Sequence, residues 1–183
     1  YGASGHQPGG RVNFIAVGRL EKIKRFDLLI HAWKGIDEKL EIIGDGLEKN
    51  NLLAIIKDNN LADQITIRSE VNSQELGNIY RRAKGLIITS SREGGPRVAL
   101  EAAAFNLPVF GTNVGVMGEL FPQEVLADPN NEEEVISLIR SFVPLAKNID
   151  VSAIKERIFE SYTVESSAKK VGKIYDSVLS NSL

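Results

Sequence analysis

From Val12 onward the chain alternates short apolar runs with longer amphipathic stretches. Residues 12–17 read as a strand that stops at Gly18, after which Phe26, Leu29, Ile30 and Trp33 recur at helical spacing until Gly35. Residues 40–43 form a second apolar run, closed by Gly44-Asp45-Gly46. Leu47, Leu52, Leu53, Ile55 and Ile56 then outline a helix that ends by Asn59-Asn60. A brief strand at 65–67 precedes a helix over 73–82, with Ser73 as its N-cap and Leu76, Ile79 and Tyr80 on one face. The most apolar run, Leu86-Ile87-Ile88, suits a central strand covered on both sides. Pro96 opens a helix through Phe105, residues 108–110 give the next strand, and Val125-Leu126-Ala127 a weak further one. Helical stretches over 132–142, 151–161 and 164–179 close the chain.

Strand and helix alternating roughly five times call for a parallel sheet with helices on both faces. The expected fold is therefore α/β, a Rossmann-like doubly wound sheet of about six strands. Residues 1–10 hold four Gly, one Pro and one Ser without periodicity, and are set aside as a linker or an expression remnant; 11–183 read as one domain.

Composition narrows the chemistry. The 183 residues carry 22 Lys and Arg against 24 Asp and Glu, a net charge of −2, which argues against a nucleic-acid partner held by a basic surface. With no cysteine, thiol nucleophiles, disulfides and cysteine zinc sites are excluded. His6 and His31 are the only imidazoles, His6 in the glycine-rich tail and His31 on a helix where a structural or surface role serves. No apolar run approaches the roughly 18 residues of a spanning helix, and the start of the chain has no targeting pattern.

Ligands of an open parallel sheet bind beyond the carboxyl ends of its strands, so the loops after Val17, Ile43, Ile67, Ser90 and Phe110 are where function should lie. The first, Gly18-Arg19-Leu20-Glu21-Lys22-Ile23-Lys24-Arg25, puts a small residue and several cations before a helix. Alone, such a run is a solvated surface. In context it can neutralise an anion, Arg as a planar fork and Lys as a point charge. Gly44-Asp45-Gly46 begins like a dinucleotide fingerprint, but Lys49 stands at the third glycine position. A tight turn and a ligand contact explain that pair equally well. The fourth loop, from Ser90 to Ala102, is the informative one. Pro96 is pre-set for the first helical position, so the amides of Gly94, Gly95, Arg97 and Val98 can gather at a positive helix end. Glu93 and Glu101 are separated by seven residues. Arg97 and Glu101, at i and i+4, can also simply pair. The glycine-rich loop Gly111 to Glu119 faces the same edge, either as a phosphate or sugar contact or as a flexible turn.

Taken together these pieces resemble the C-terminal, donor-binding domain of a GT-B glycosyltransferase of family 4, the glycosyl transferases group 1 family. The resemblance spans residues 12–175 and rests on Val17-Gly18-Arg19-Leu20 with Lys24 and Asp27, Ile43-Gly44-Asp45-Gly46, the Glu93–Glu101 motif with Ala102, Pro108-Val109 and Thr112. It implies that Arg19 and Lys24 bind the donor diphosphate, that Glu93 contacts the donor sugar and that Glu101 holds the ribose hydroxyls. Gly18, Gly46, Gly94, Gly95, Arg97 and Val98 would lie against the donor, and Glu70, Val71 and Asn72 around its base. The family has an aromatic residue and a glycine where this chain has Gly94-Gly95-Pro96.

The implied activity is retaining transfer of a sugar from a nucleoside-diphosphate donor (UDP or GDP) to a glycan, lipid or other acceptor, with mannosyl transfer among the options, in polysaccharide or glycoconjugate biosynthesis. No metal or other cofactor is expected, and the chain has no Asp-x-Asp motif. The implied partners are the nucleotide sugar and an N-terminal, acceptor-binding half absent from this chain, which alone should transfer little sugar. The implied location is cytoplasmic, with membrane association through the other half left open. Two other classes share the fold: a dinucleotide-binding oxidoreductase domain and a non-enzymatic interaction domain.

Overall fold

The computed structural model describes residues 12–149 and 151–161. Six strands, β1 (Phe14–Val17), β2 (Leu40–Ile43), β3 (Ile65–Arg68), β4 (Gly85–Ile88), β5 (Val109–Thr112) and β6 (Leu126–Ala127), form one parallel sheet in the order β3-β2-β1-β4-β5-β6. The helices are α1 (Phe26–Ala32), α2 (Lys49–Asp58), α3 (Ser73–Arg82), α4 (Arg97–Ala104), α5 (Met117–Leu120), α6 (Glu132–Phe142) and α7 (Ser152–Ser161). One layer joins α1 with α2 and α6; the other joins α4 with α7. The expected doubly wound sheet is present. Its strand order reverses between β1 and β4, the switch point at which loops diverge and leave a crevice.

An aromatic chain holds the first layer to the sheet. Trp33 of α1 meets Phe14 of β1 edge-on at 5.7 Å, Phe14 meets Phe110 of β5 at 6.3 Å, and Phe110 stacks on Phe142 of α6 at 6.0 Å. Between β1 and β5 lies β4, and it begins with glycine for a packing reason. A Cβ on Gly85 would come within 3.1 Å of the Phe14 ring and 3.2 Å of the Phe110 ring. The Trp33 indole N–H, buried with its ring, donates to the Glu38 carbonyl at 2.9 Å.

Several element ends differ from the sequence expectations, each for a local reason. The first strand begins at Phe14, because Val12 is 59 % exposed and its N–H donates to the Arg82 carbonyl instead. Helix α2 starts at Lys49, leaving Leu47 outside it and 96 % exposed. The N-cap of α3 is Asn72, whose side chain accepts from the Glu75 N–H at 2.9 Å, so Ser73 is the first helical residue. Pro96 is the N-cap of α4, at φ −72° and ψ 87°, and helical geometry starts at Arg97. The fifth strand runs through Gly111 and Thr112 and omits Pro108, which has no N–H for the ladder. Short 3₁₀ turns at Lys22–Lys24, Gln123–Val125 and Val143–Asn148, and the single turn of α5, had no sequence signal strong enough to place them. The expected helix over 164–179 and the tail over 1–10 lie outside the described residues. Among the described residues no helix is long and apolar enough to cross a membrane.

Phe110 is fully buried and links two neighbouring rings. Phe110→Ala is therefore expected to lower unfolding stability by about 3–5 kcal/mol, read as an earlier midpoint in urea with circular dichroism. An unchanged midpoint would mean that the aromatic chain does not hold the layers.

Candidate functional site

The site is built where the loops after β1, β2 and β4 leave the sheet. The first two are fused backbone to backbone. Gly18 N–H donates to the Ile43 carbonyl at 3.0 Å, Leu20 N–H to the Asp45 carbonyl at 2.9 Å, and Glu48 N–H to the Leu20 carbonyl at 2.9 Å. This closeness explains the glycine pair after β2. A Cβ on Gly44 would sit 2.0 Å from the Gly18 carbonyl oxygen, and one on Gly46 2.4 Å from that of Leu20. Gly44 also faces the cavity described below, whereas Gly46 is spent on Leu20 and does not line it.

Across the switch point, the loop after β1 is tied to the loop after β4. Ser91 N–H donates to the Ile23 carbonyl at 2.8 Å, and the Thr89 hydroxyl to the Lys24 carbonyl at 2.8 Å. The Thr112 hydroxyl donates to the Ser90 carbonyl at 2.8 Å, which joins β5 to the same turn. These bonds bring Lys24 to Glu93, with Nζ 2.5 Å from Oε1 and both side chains mostly covered (20 % and 15 % exposed). Ser90 Oγ also donates to that carboxylate oxygen, at 2.7 Å. The Lys24 stem passes over Gly18, where a Cβ would come within 3.2 Å of Cε. Gly94 and Gly95 follow Glu93 at the surface, with open space where side chains would be. Behind them Gly115, at φ +55°, presses against the turn: a Cβ there would lie 2.9 Å from the Gly94 carbonyl oxygen. Only glycine combines that backbone with that approach.

On the other side of Gly18 opens a cavity of about 670 Å³. Its floor is Val17, Gly18, Ile43 and Gly44, and one wall is Glu70, Val71, Ser73, Leu76, Gly77 and Tyr80. The facing wall is Arg97, Val98, Glu101 and Phe105 of α4 and its end, with Arg19 and Asp45 at the mouth. Arg19 is 80 % exposed and reaches Glu21 at 2.5 Å; Arg97 is 89 % exposed and stays 3.9 Å from Glu101. The possible Arg97–Glu101 pair is thus long and open to solvent. Glu101 instead accepts a hydrogen bond from the Tyr80 hydroxyl at 3.1 Å.

The sequence-derived residues therefore fall into two adjoining groups. Gly18, Arg19, Glu70, Val71, Arg97, Val98 and Glu101 line the cavity, while Lys24, Glu93, Gly94 and Gly95 lie beyond Gly18. Asn72 and Gly46 line neither group; Asn72 caps α3 and Gly46 packs on Leu20. Tyr80, Phe105 and Asp45 were not among the candidates. Tyr80 and Phe105 read as core in an amphipathic pattern, although a buried tyrosine hydroxyl always demands a partner. Asp45 was visible only as the middle of a glycine turn.

Asp45 accepts from Lys49 Nζ at 2.7 Å and from the Glu70 N–H at 3.0 Å, so it ties the cavity mouth to the loop after β3. The Lys49 hydrogen bond, and after it that of the Glu70 amide, holds the carboxyl below its ordinary 3.8. His31, by contrast, is exposed on the last turn of α1 and faces none of this.

Comparison with known proteins bears on the family and the fold. The family model of the glycosyl transferases group 1 matches residues 4–174. An uncharacterized glycosyltransferase of Methanocaldococcus jannaschii is 32 % identical over 140 residues, 72 % of this chain and 40 % of that protein. Among solved structures, sucrose-phosphate synthase from Thermosynechococcus elongatus superposes with a TM-score of 0.78 at 22 % identity, over 93 % of this chain and 46 % of that one. Anabaena HepE, solved in complex with UDP and glucose, gives 0.77 at 18 % identity, over 91 % of this chain and 49 % of its own. The chain thus spans less than half the length of each of these proteins.

A carboxyl depressed in the folded state contributes stability that is complete above its unfolded value and is lost as pH falls through the folded one. The Asp45 carboxyl carbon is expected to titrate with a midpoint below 3.8 by NMR, and Lys49→Met to move that midpoint upward. An unmoved midpoint in Lys49→Met would remove the lysine as the cause.

Proposed function

The chain belongs to the glycosyl transferases group 1 family, and from that premise we propose that it is the donor-binding half of a retaining glycosyltransferase. The observation that carries the reading is the meeting, at one strand-order reversal, of a nucleoside-sized cavity and a lysine–glutamate pair with only Gly18 between them. In this reading the base of a UDP or GDP sugar lies beside Glu70, Val71 and the start of α3. Its ribose hydroxyls donate to Glu101. The diphosphate crosses Gly18, where the backbone has no side chain to obstruct it, toward Arg19, Lys24 and the amides of Gly94, Gly95, Arg97 and Val98 at the start of α4.

Donor binding then exchanges one contact for two. Lys24 turns from Glu93 to a phosphate oxygen, and Glu93 is released to accept hydroxyls of the sugar. When the bond from the anomeric carbon to the phosphate oxygen breaks, the electron pair stays on the diphosphate. The cations and the helix-start amides stabilise that charge where it develops, without a proton transfer from Glu93 and without a metal ion. For retention the acceptor hydroxyl enters on the face that the diphosphate leaves: its oxygen forms the new bond to the anomeric carbon, and its proton goes to the departing phosphate oxygen. The acceptor, a glycan or lipid of polysaccharide or glycoconjugate biosynthesis, is positioned by a second half. Association with a membrane, where it occurs, belongs to that half too.

Titration calorimetry of the chain with UDP and with GDP tests the donor site. One of the two is expected to bind. Arg19→Ala is expected to weaken it by about tenfold or more, the worth of a hydrogen bond to a charged group (about 1.5–3 kcal/mol). Heat from neither nucleotide would sink the proposal. Transfer from a UDP or GDP sugar by the chain alone is expected to be at or near background, and robust transfer would refute the need for a second half.

A further inference from the structure

Tyr80 stands out among the cavity residues because its ring is buried and its hydroxyl points at a carboxylate. Helix α3 carries it on the face turned to α4. There its ring lies 5.7 Å from that of Phe105, and Phe105 in turn sits under the Arg81 guanidinium at 4.8 Å. Gly77, one turn earlier, makes room for this packing: a Cβ there would come within 3.3 Å of Phe105 Cζ. Phe105, itself held between Gly77 and the Arg81 guanidinium, thus flanks the buried Tyr80 ring.

That hydroxyl donates to Glu101 Oε2 at 3.1 Å, while Glu101 Oε1 has the 3.9 Å approach of Arg97. Two groups therefore hold different oxygens of one carboxylate. Arg97 is on the same helix, is 89 % exposed and would draw Glu101 along the surface of α4. Tyr80, on α3, is buried, and its hydroxyl holds the other oxygen of a carboxylate that is 40 % exposed. A hydrogen bond from a buried donor to an ionised acceptor outweighs a long, exposed i, i+4 contact.

We propose that Tyr80 is a positioning residue: by anchoring one oxygen of Glu101 it turns the carboxylate into a reader of the donor's ribose diol. This rests on the reading of Glu101 as the ribose contact, and it adds the element that makes the contact selective. Burial, with the Glu101 charge and hydrogen bond after it, pushes the Tyr80 hydroxyl far above its ordinary value, so it stays a proton donor at every pH where the protein is handled. An anchored carboxylate accepts from a ribose 2′-hydroxyl without first being ordered. A mobile one must be ordered by the ligand at an entropic cost.

The test compares UDP with 2′-deoxy-UDP, and GDP with 2′-deoxy-GDP, by titration calorimetry on the chain and its variants. For the base that binds, the chain is expected to prefer the ribonucleotide by about tenfold, one charge-assisted hydrogen bond. Glu101→Gln should reduce that ratio, and Tyr80→Phe should cut it to about threefold or less while binding of the deoxy form changes little. A structural role alone would weaken both forms together. If Glu101→Gln loses the ratio and a folded Tyr80→Phe keeps it, Tyr80 does not position Glu101 and the inference is overturned, with the ribose reading intact. If the unaltered chain shows no ratio at all, the ribose reading fails and takes the inference with it. Should Tyr80→Phe not fold, 3-fluorotyrosine placed at position 80 supplies the second readout. Its fluorine signal is expected to shift with the ribonucleotide and far less with the deoxy form, and equal shifts would overturn the proposal.

Discussion

Two backbone-directed hydrogen bonds, from the Ser91 amide to the Ile23 carbonyl and from the Thr89 hydroxyl to the Lys24 carbonyl, lock together the loops that leave β1 and β4. Each strand in a parallel sheet delivers its loop to the same edge, and the reversal of strand order makes these two loops neighbours. Without the lock, Lys24 and Glu93 would be two charges on independent surface segments. With it they meet at 2.5 Å in a mostly covered position, 69 residues apart in sequence. Partial burial is what gives the pair its meaning, since a charge withdrawn from water needs either its partner or a ligand of opposite sign.

Below its side-chain walls, the cavity beside this pair has a floor shaped by close backbone approach. The loops after β1 and β2 rest directly on each other at Gly44 and Gly46, which lowers the floor and leaves Arg19 and Asp45 at the rim. Asp45 then clasps the Glu70 amide, so three consecutive loops act as one surface. On the far side the Gly115 backbone supports the Glu93–Gly94 turn from behind. Polar groups that must receive charge are thus held by main chain, which loses little freedom when a ligand arrives.

Much of this fold was legible because its signal is periodic. The second strand and α6 run as expected from their apolar patterns alone, over Leu40–Ile43 and Glu132–Phe142. Ends governed by one hydrogen bond were harder, as at Asn72, where either of two adjacent polar residues suits a cap and tertiary geometry chooses. Gly85 looks like a strand breaker in sequence; the Phe14 and Phe110 rings that require it come from other strands. The same limit governs the site. Loop position pointed to Arg19, Glu93 and Glu101, but which carboxylate pairs with Lys24 and which with Tyr80 depends on contacts between residues 69 and 21 apart. No local pattern encodes such a choice.

Arg25, next to Lys24, gives that loop an anchor of a different kind. It adopts a left-handed backbone conformation (φ 52°) uncommon for a side chain of its type, and its guanidinium reaches Glu132 at the start of α6, 2.5 Å away and 107 residues on. The loop that presents Lys24 is in effect guyed to the helix that packs beside α1 in the same layer. Removing the acid at 132 would therefore free the arginine at 25 from α6 and slacken the stay on the charge-bearing rim.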